Sequence, residues 1–441
     1  MKYKIHIFIL IVALNTAGTF FTSGQQRFPK PEFETGYEQP TPTTPEPRSL
    51  SLEYVDVAIL IIVLGLAAWF AIYRRSRRGI LWLSVFTLIY FGFYREGCIC
   101  PIGSIQNVTL SLFSSDYTIS ITALAFFIIP LAITLFFGRL FCASACPLGA
   151  IQDLLLIKPI SVPKWLQKTL GLFPFIYLGL AVLYAATGTD FIICRYDPFV
   201  GIFRMGAEFH MIVLGISFLL IGLFVARPYC RFVCPYGALL HVSSLFSKKH
   251  LSITPAECIQ CKLCSNSCPF DAIEFPTNDK EKVNLPVASL TARQGRHGIP
   301  QNIRKFIIYA LLIPVWIILG GYAVSKTHIL LSNAHPDVYL ADLLVSHPEL
   351  KNDTKNLDIK TFMSSGKSLD TLVEEAKIIR GKFLTGSWIL GGFIGLVIGM
   401  TLLNQVIFRK REDYTPHKGN CFSCGRCMKY CPVRNDSKIY L

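Results

Sequence analysis

Eight of the fifteen cysteines in this chain fall into two runs of identical spacing. They are Cys258-Ile-Gln-Cys261-Lys-Leu-Cys264-Ser-Asn-Ser-Cys268-Pro269 and Cys421-Phe-Ser-Cys424-Gly-Arg-Cys427-Met-Lys-Tyr-Cys431-Pro432. Three thiolates at this spacing wrap one face of a [4Fe–4S] cubane, and the proline turns the chain so that the fourth points away. When two such runs occur together, the fourth cysteine of each ligates the other run's cluster. The expected sets are therefore Cys258, Cys261 and Cys264 with Cys431, and Cys421, Cys424 and Cys427 with Cys268. A structural zinc site shows two separated Cys-x2-Cys pairs instead. The chemistry written here is one-electron redox.

A second cysteine pattern is repeated four times. Arg139-Leu-Phe-Cys142-Ala-Ser-Ala-Cys146-Pro147-Leu-Gly149-Ala-Ile-Gln152 and Arg227-Pro-Tyr-Cys230-Arg-Phe-Val-Cys234-Pro235-Tyr-Gly237-Ala share Arg-x2-Cys-x3-Cys-Pro-x-Gly-Ala. Together they offer four thiolates, as a closed metal or iron–sulfur site requires. Two degenerate copies are Arg95-Glu-Gly-Cys98-Ile-Cys100-Pro101-Ile-Gly103-Ser-Ile-Gln106 and Cys194-Arg-Tyr-Asp197-Pro198. In the last, Asp197 stands where the Cys before Pro would be. Two further sites are expected: an inner one of Cys142, Cys146, Cys230 and Cys234, and an outer one of Cys98, Cys100, Cys194 and Asp197. Arg95, Arg139 and Arg227 would offset the thiolate charge and raise the site's potential. Without a cofactor, the quartet would be packing and Cys194 would form a disulfide with Cys98 or Cys100.

The elements that must carry these motifs are apolar. Hydrophobic residues make up 52% of the 441, and mean hydropathy is +0.46. The apolar residues sit in blocks, at Val55–Tyr73, Ile80–Tyr94, Ile119–Phe137, Leu170–Ala186, His210–Ala226, Ile303–Val324 and Leu384–Phe408. About 20 apolar residues cross a bilayer, so the second and fourth blocks barely suffice. Lys and Arg in the connecting segments number 27 on the Arg74–Arg78 side and 14 on the other. That asymmetry makes the first side cytoplasmic. Both iron–sulfur runs then face the cytoplasm, and an even number of crossings between them lets them meet.

The predicted fold is mainly α: a helical membrane protein of about seven spans with a small cytoplasmic two-cluster ferredoxin-like domain built from two separated segments. Residues 1–24 are predicted to be a signal peptide or N-terminal anchor and 25–54 a periplasmic linker. Residues 55–250 form the membrane core, and 251–302 the first ferredoxin half. Residues 303–409 form a transmembrane hairpin with a periplasmic insert at 325–383, and 410–441 the second half. The net charge of +15 sits beside apolar spans and suits a membrane rather than nucleic acid. No Cys-x-x-Cys-His, P-loop or dinucleotide fingerprint is present. His210 and His241 are read as structural interface residues.

The Cys-x3-Cys-Pro span ends and the two runs together resemble the NosR/NapH family of membrane-bound polyferredoxins, over about residues 80–275 and 421–432. The resemblance implies electron transfer between the cytoplasmic side or quinone pool and a periplasmic reductase, cytochrome or flavoprotein in anaerobic-type respiration. It places the chain in a bacterial inner membrane as an electron-transfer subunit of an oxidoreductase complex rather than a stand-alone enzyme. The implied cofactors are two ferredoxin-type [4Fe–4S] clusters, a further cluster at the inner quartet, and candidates for a periplasmic cluster and a quinone. A cytoplasmic electron donor is the further partner to expect. The alternative is an iron–sulfur assembly, maturation or redox-regulatory factor for a respiratory metalloenzyme.

Overall fold

The computed structural model describes residues 49–97, 100–115, 117–204, 206–253, 258–277, 299–300, 303–349, 356–364, 366–408, 411 and 413–433. The predicted N-terminal anchor, most of the linker, and Cys98 lie outside the described residues. The chain is mostly helical. Each of the seven expected apolar blocks lies within or across helix.

Four helices are long and apolar enough to cross a membrane: Ser51–Tyr73, Lys164–Ala186, Arg304–Ser325 and Leu369–Asn404. Such helices mark a membrane protein. Ile121–Phe137 and Phe209–Gly222 are apolar but shorter. The fourth block gains length that sequence did not supply. Lys164–Leu170 runs through Gly171 and Leu172 into Phe173–Ala186, giving 23 residues where a short span was expected. The last block is likewise only part of a 36-residue helix, Leu369–Asn404. At 1.5 Å per residue this helix is about 54 Å long, so its first turns belong to the expected insert. That insert also contains three short helices, His328–Ser332, Pro336–Ser346 and Leu357–Ser364. They bury Val338, Ala341, Leu344, Ile359 and Phe362 against Leu372 and Ala376 of the long helix.

Ile303–Ser325 pairs with Leu369–Asn404 through facing glycines. A Cβ at Gly320 would stand 2.3 Å from the Gly391 carbonyl oxygen, so only glycine allows this approach. The other faces of Arg304–Ser325 are open, with only 6% of its apolar window buried.

The Cys-Pro repeats shape the middle of the molecule. Pro101, Pro147, Pro198 and Pro235 each begin a helix. Proline fits the first helical turn but drives the residue before it out of the helical region. Accordingly Cys100, Cys146, Asp197 and Cys234 have ψ of 117°, 116°, 110° and 114°. Four times over, the chain stops, extends for one residue and restarts as a helix with a thiol or carboxyl at its N-terminus.

The two ferredoxin-type segments are joined by backbone pairing. Ile273–Glu274 pairs antiparallel with Thr415–Pro416, and Ile299–Pro300 with Ile407–Phe408. The long hairpin between them returns the chain to its starting level.

Candidate iron–sulfur sites

The two runs adopt the same local path. Gln260 and Lys262 have φ of 52° and 62°, and the equivalent Ser423 and Gly425 have 51° and 72°. These left-handed residues flank the second cysteine and curl each run around a hollow. Cys258, Cys261, Cys264 and Cys431 line one hollow, with Ile253 and Tyr414. Cys268, Cys421, Cys424 and Cys427 line the second, walled by Leu251, Phe270 and Phe422. The fourth cysteine of each run thus lies in the other run's hollow. Cys268 is within electrostatic reach of Cys421, Cys424 and Cys427.

The two hollows differ in exposure. Cys261 is exposed in the first, whereas Cys421, Cys424 and Cys427 are all buried in the second. Burial pushes the Cys421 thiol up to about 12 and the Cys427 thiol well above its ordinary range. A coordinating metal deprotonates such a thiol outright.

The inner quartet also converges. Cys142, Cys146, Cys230 and Cys234 are all buried, and Cys146 lies within electrostatic reach of Cys230. Cys234 lies within electrostatic reach of both Cys146 and Cys142. The backbone N–H of Gly237 donates to Cys234 Sγ at 3.3 Å, whereas Cys146 caps its helix without such a bond. Thiols at helix N-termini are placed where the helix dipole favours the thiolate. Among the described residues no three Cys, His, Asp or Glu side chains converge on a point fit for a single metal ion.

The two inner repeats clasp each other. Arg227 donates to the Cys142 carbonyl, and its guanidinium lies 3.3 Å from where a Cβ of Gly149 would be. Arg139 stands equivalently, 3.4 Å from the place of a Gly237 Cβ, and its Nη2 is 4.0 Å from Cys142 Sγ. The glycine of each Cys-Pro-x-Gly therefore makes room for the other repeat's arginine.

The outer group is drawn close to this quartet. Cys100 is within electrostatic reach of Asp197 and of Cys146, and Cys194 is within reach of Asp197. Cys194 Sγ would be 3.2 Å from a Cβ at Gly103. Asp197 Oδ1 accepts the Phe199 N–H at 2.9 Å, capping its helix. No disulfide occurs among the described cysteines; Cys100 and Cys194 are free thiols. Arg95 is engaged elsewhere, 3.0 Å from the carboxylate of buried Asp56.

Several residues that matter here were not singled out from sequence. Gln152 Oε1 accepts the Tyr229 N–H at 3.2 Å, and its Nε2 lies 3.5 Å from Cys230 Sγ. Gln106 does the same in the outer group, accepting Ile193 N–H at 3.0 Å. Both glutamines hold the residue just before a cysteine. The repeated Cys-Pro-x-Gly-x-x-Gln was the available signal. Tyr229 is buried among Cys100, Asp197 and Cys234, between the two groups.

The joint between the quartet and the second hollow is made of buried arginines and aromatics. Arg139 stacks 4.0 Å from the Phe422 ring and donates to the Gly419 carbonyl at 3.1 Å. Arg227 lies 5.9 Å from both Phe270 and Phe422, whose rings are 4.7 Å apart. Asp153 ties the assembly together: Arg77 pairs with it, Arg426 at 2.8 Å and Arg227 at 3.6 Å. Burial alone would raise its carboxyl, but the three arginines outweigh burial and hold it well below the usual range. His241 donates from Nδ1 to Gly419 O at 3.0 Å, and burial with nearby Arg139 lowers it to about 3. It serves as the structural residue expected. His210 is exposed beside Glu208.

The comparisons with known proteins bear on this arrangement. One 4Fe–4S binding domain family matches residues 119–172 and 208–254, covering the two Arg-x2-Cys-x3-Cys-Pro span ends. A second 4Fe–4S binding domain family matches residues 251–274, the first run. YccM of Escherichia coli, named as an electron transport protein, is 28% identical over 38% of this chain and 52% of its own. NosR of Stutzerimonas stutzeri, named as a regulatory protein, is 26% identical over 50% of this chain and 33% of its own. NirI of Paracoccus denitrificans is 28% identical over 49% and 35%. The chain thus spans about half of YccM and about a third of NosR and NirI. No solved structure matches. These matches define the class: a membrane protein with 4Fe–4S binding domains. Within that class the chain is similar to NosR and NirI over about half of its length.

Proposed function

We propose that this protein conducts electrons through a row of iron–sulfur sites running from the ferredoxin segments into the membrane core. The observation that carries the reading is the partition of eight cysteines into two cavities, each completed by the other run's fourth cysteine. Four thiols per cavity and apolar walls fit a [4Fe–4S] cluster better than a single ion, which needs its thiolates about 2.3 Å from one point. Cys258, Cys261, Cys264 and Cys431 would hold one cluster, and Cys268, Cys421, Cys424 and Cys427 the other. Cys142, Cys146, Cys230 and Cys234 would hold a third. Cys100, Cys194 and Asp197, with Cys98 outside the described residues, are the candidate ligands of a fourth cofactor. When bound, each cluster supplies a one-electron couple.

The chain's own residues serve this role in identifiable ways. Phe270 and Phe422 exclude water between the second cavity and the quartet. Arg139 and Arg227 place two buried positive charges beside the thiols, favouring the reduced form. Cys100 lies within electrostatic reach of Cys146, so the outer group stands close to the inner one. Close spacing is what tunnelling through an apolar layer about 30 Å thick demands. On this reading the cytoplasmic side or the quinone pool supplies one end and a periplasmic redox partner the other. The membrane is a bacterial inner membrane with the ferredoxin segments cytoplasmic.

The names of YccM and NosR support two readings, electron transport and regulation. The continuous line of thiol sites favours transport, because a sensor needs only one of them. Iron, acid-labile sulfide and EPR measured on the purified chain test the proposal. Cys146→Ser or Cys234→Ser should remove one cluster's worth of iron and leave the ferredoxin-type signals. Unchanged iron in both variants would make the quartet a packing feature.

A further inference from the structure

Of the eight cysteines in the two hollows only Cys261, in the first, is exposed, and what surrounds it is not ordinary surface. Cys261 is exposed while its counterpart Cys424 is buried. Ile259 and Leu263, two residues either side of Cys261, are 65% and 46% exposed, and Tyr430, next to Cys431 of the same hollow, is 54% exposed. Clustered exposed apolar residues beside a functional group mark an interaction site. Lys262 and Lys429 are exposed at the rim of this patch. Arg75 lies close to Cys431 and Cys427 and is fixed there by bonds to Ser252 and the Ile253 carbonyl. Among the described residues Lys262 is the one charged residue lining the cavity itself.

We infer that this patch docks a small, soluble, acidic one-electron carrier protein. The inference rests on the proposed electron-transfer role, and it adds the class of partner and the place where it binds. An apolar centre with a cationic rim matches the reverse pattern on an acidic carrier, and charge of this kind sets encounter rate and orientation. An exposed ligand at the centre brings the carrier's redox group close to the cluster edge. Exchange is then outer-sphere: one electron leaves the carrier, which is oxidised, and the protein's site is reduced by one. No bond forms or breaks and no proton moves. The other sites of the row are walled in by Phe270, Phe422 and the membrane core, so the first hollow is the solvent-side terminus.

Binding tests this directly. The full chain in nanodiscs of zwitterionic lipid is titrated with an acidic flavodoxin or a plant-type [2Fe–2S] ferredoxin at low and at physiological salt. Affinity should fall at least tenfold with salt, since a Debye length shrinks from about 30 Å at 0.01 M to about 8 Å at 0.15 M. Lys262→Glu with Lys429→Glu should weaken low-salt binding at least tenfold, and Lys367→Glu, on the remote insert, should leave it unchanged. Salt-independent binding, or equal affinity for the double variant and the parent, would overturn the inference. So would competition by anionic vesicles that is lost in the same double variant, which would make the patch a lipid-contacting surface. Iron content is measured separately: a chain without clusters that still binds the carrier defeats the electron-transfer reading and leaves the docking surface standing.

Discussion

Cysteine 431 and cysteine 268 carry the most information of any single residues here. Each sits in its own run by sequence and in the other run's cavity in space. Their exchange gives a prediction that separates the two arrangements by additivity. Cys431→Ser should cost one cluster's worth of iron, and adding Cys258→Ser should cost nothing more, because both serve the same cavity. Combining Cys431→Ser with Cys421→Ser should cost two. Iron quantification with the opposite pattern would mean that each run keeps its own cluster. Asp153 is the second informative residue, since three arginines from separate segments depend on it. Asp153→Asn leaves buried positive charge uncompensated, and removing one partner of such a network costs about 3–5 kcal/mol. Thermal unfolding should record a lowered midpoint, and the second ferredoxin segment, which holds Arg426, should become the most protease-sensitive part.

At the scale of elements, the joint between the Pro235–Leu245 helix and the 414–428 segment governs how the ferredoxin half seats on the core. His241 and His250 are held down by burial to about 3 and about 4. The unfolded chain takes up these protons near pH 6.5 and the folded chain only well below that. Their contribution to stability is therefore complete above about pH 6.5 and is lost as pH falls towards 4. Asp153 has a depressed folded value, so its contribution survives that range and disappears only in stronger acid. Melting temperature followed from pH 7.5 to 4 should fall, and His241→Asn should flatten the upper part of that fall. A flat profile in the parent protein would mean that these histidines protonate freely in the fold. The same scale shows how much of the site was legible. Three Cys-Pro pairs and Asp197-Pro198 each restart a helix, because proline constrains its neighbour whatever the surroundings. The reach of the fourth apolar helix back to Lys164 was not legible. Polar Gln167, Lys168 and Thr169 interrupt the hydrophobic run there, and a helix continues through such residues when its neighbours hold it.

For the whole molecule, the decisive relation is between the inner and outer cysteine groups. Tyr229 lies between them, in reach of Asp197 and Cys100 on one side and Cys234 on the other. A row that continues to the outer group must fail when that group is broken. Cys194→Ser should abolish electron delivery to an acceptor on the far face of a proteoliposome while leaving the ferredoxin-type EPR signals and dithionite reduction intact. Undiminished delivery would end the row at the inner quartet and favour the regulatory reading.

Sequence by itself determined the chemistry: the ligand type, the two run spacings, the three Cys-Pro turns with their Asp-Pro counterpart, and the apolar blocks that hold them. These are local properties, fixed by covalent spacing and by proline and thiol chemistry. The exchange of fourth cysteines was also deducible, since a general rule connects the two runs. Tertiary structure alone decided how the sites connect. Arg227 reaching over Gly149, Arg139 bridging Cys142 to Phe422, and Asp153 gathering Arg77, Arg227 and Arg426 join residues far apart in the chain. A buried charge finds its partner by position in space, and no periodicity or spacing records which of 43 Lys and Arg residues that will be.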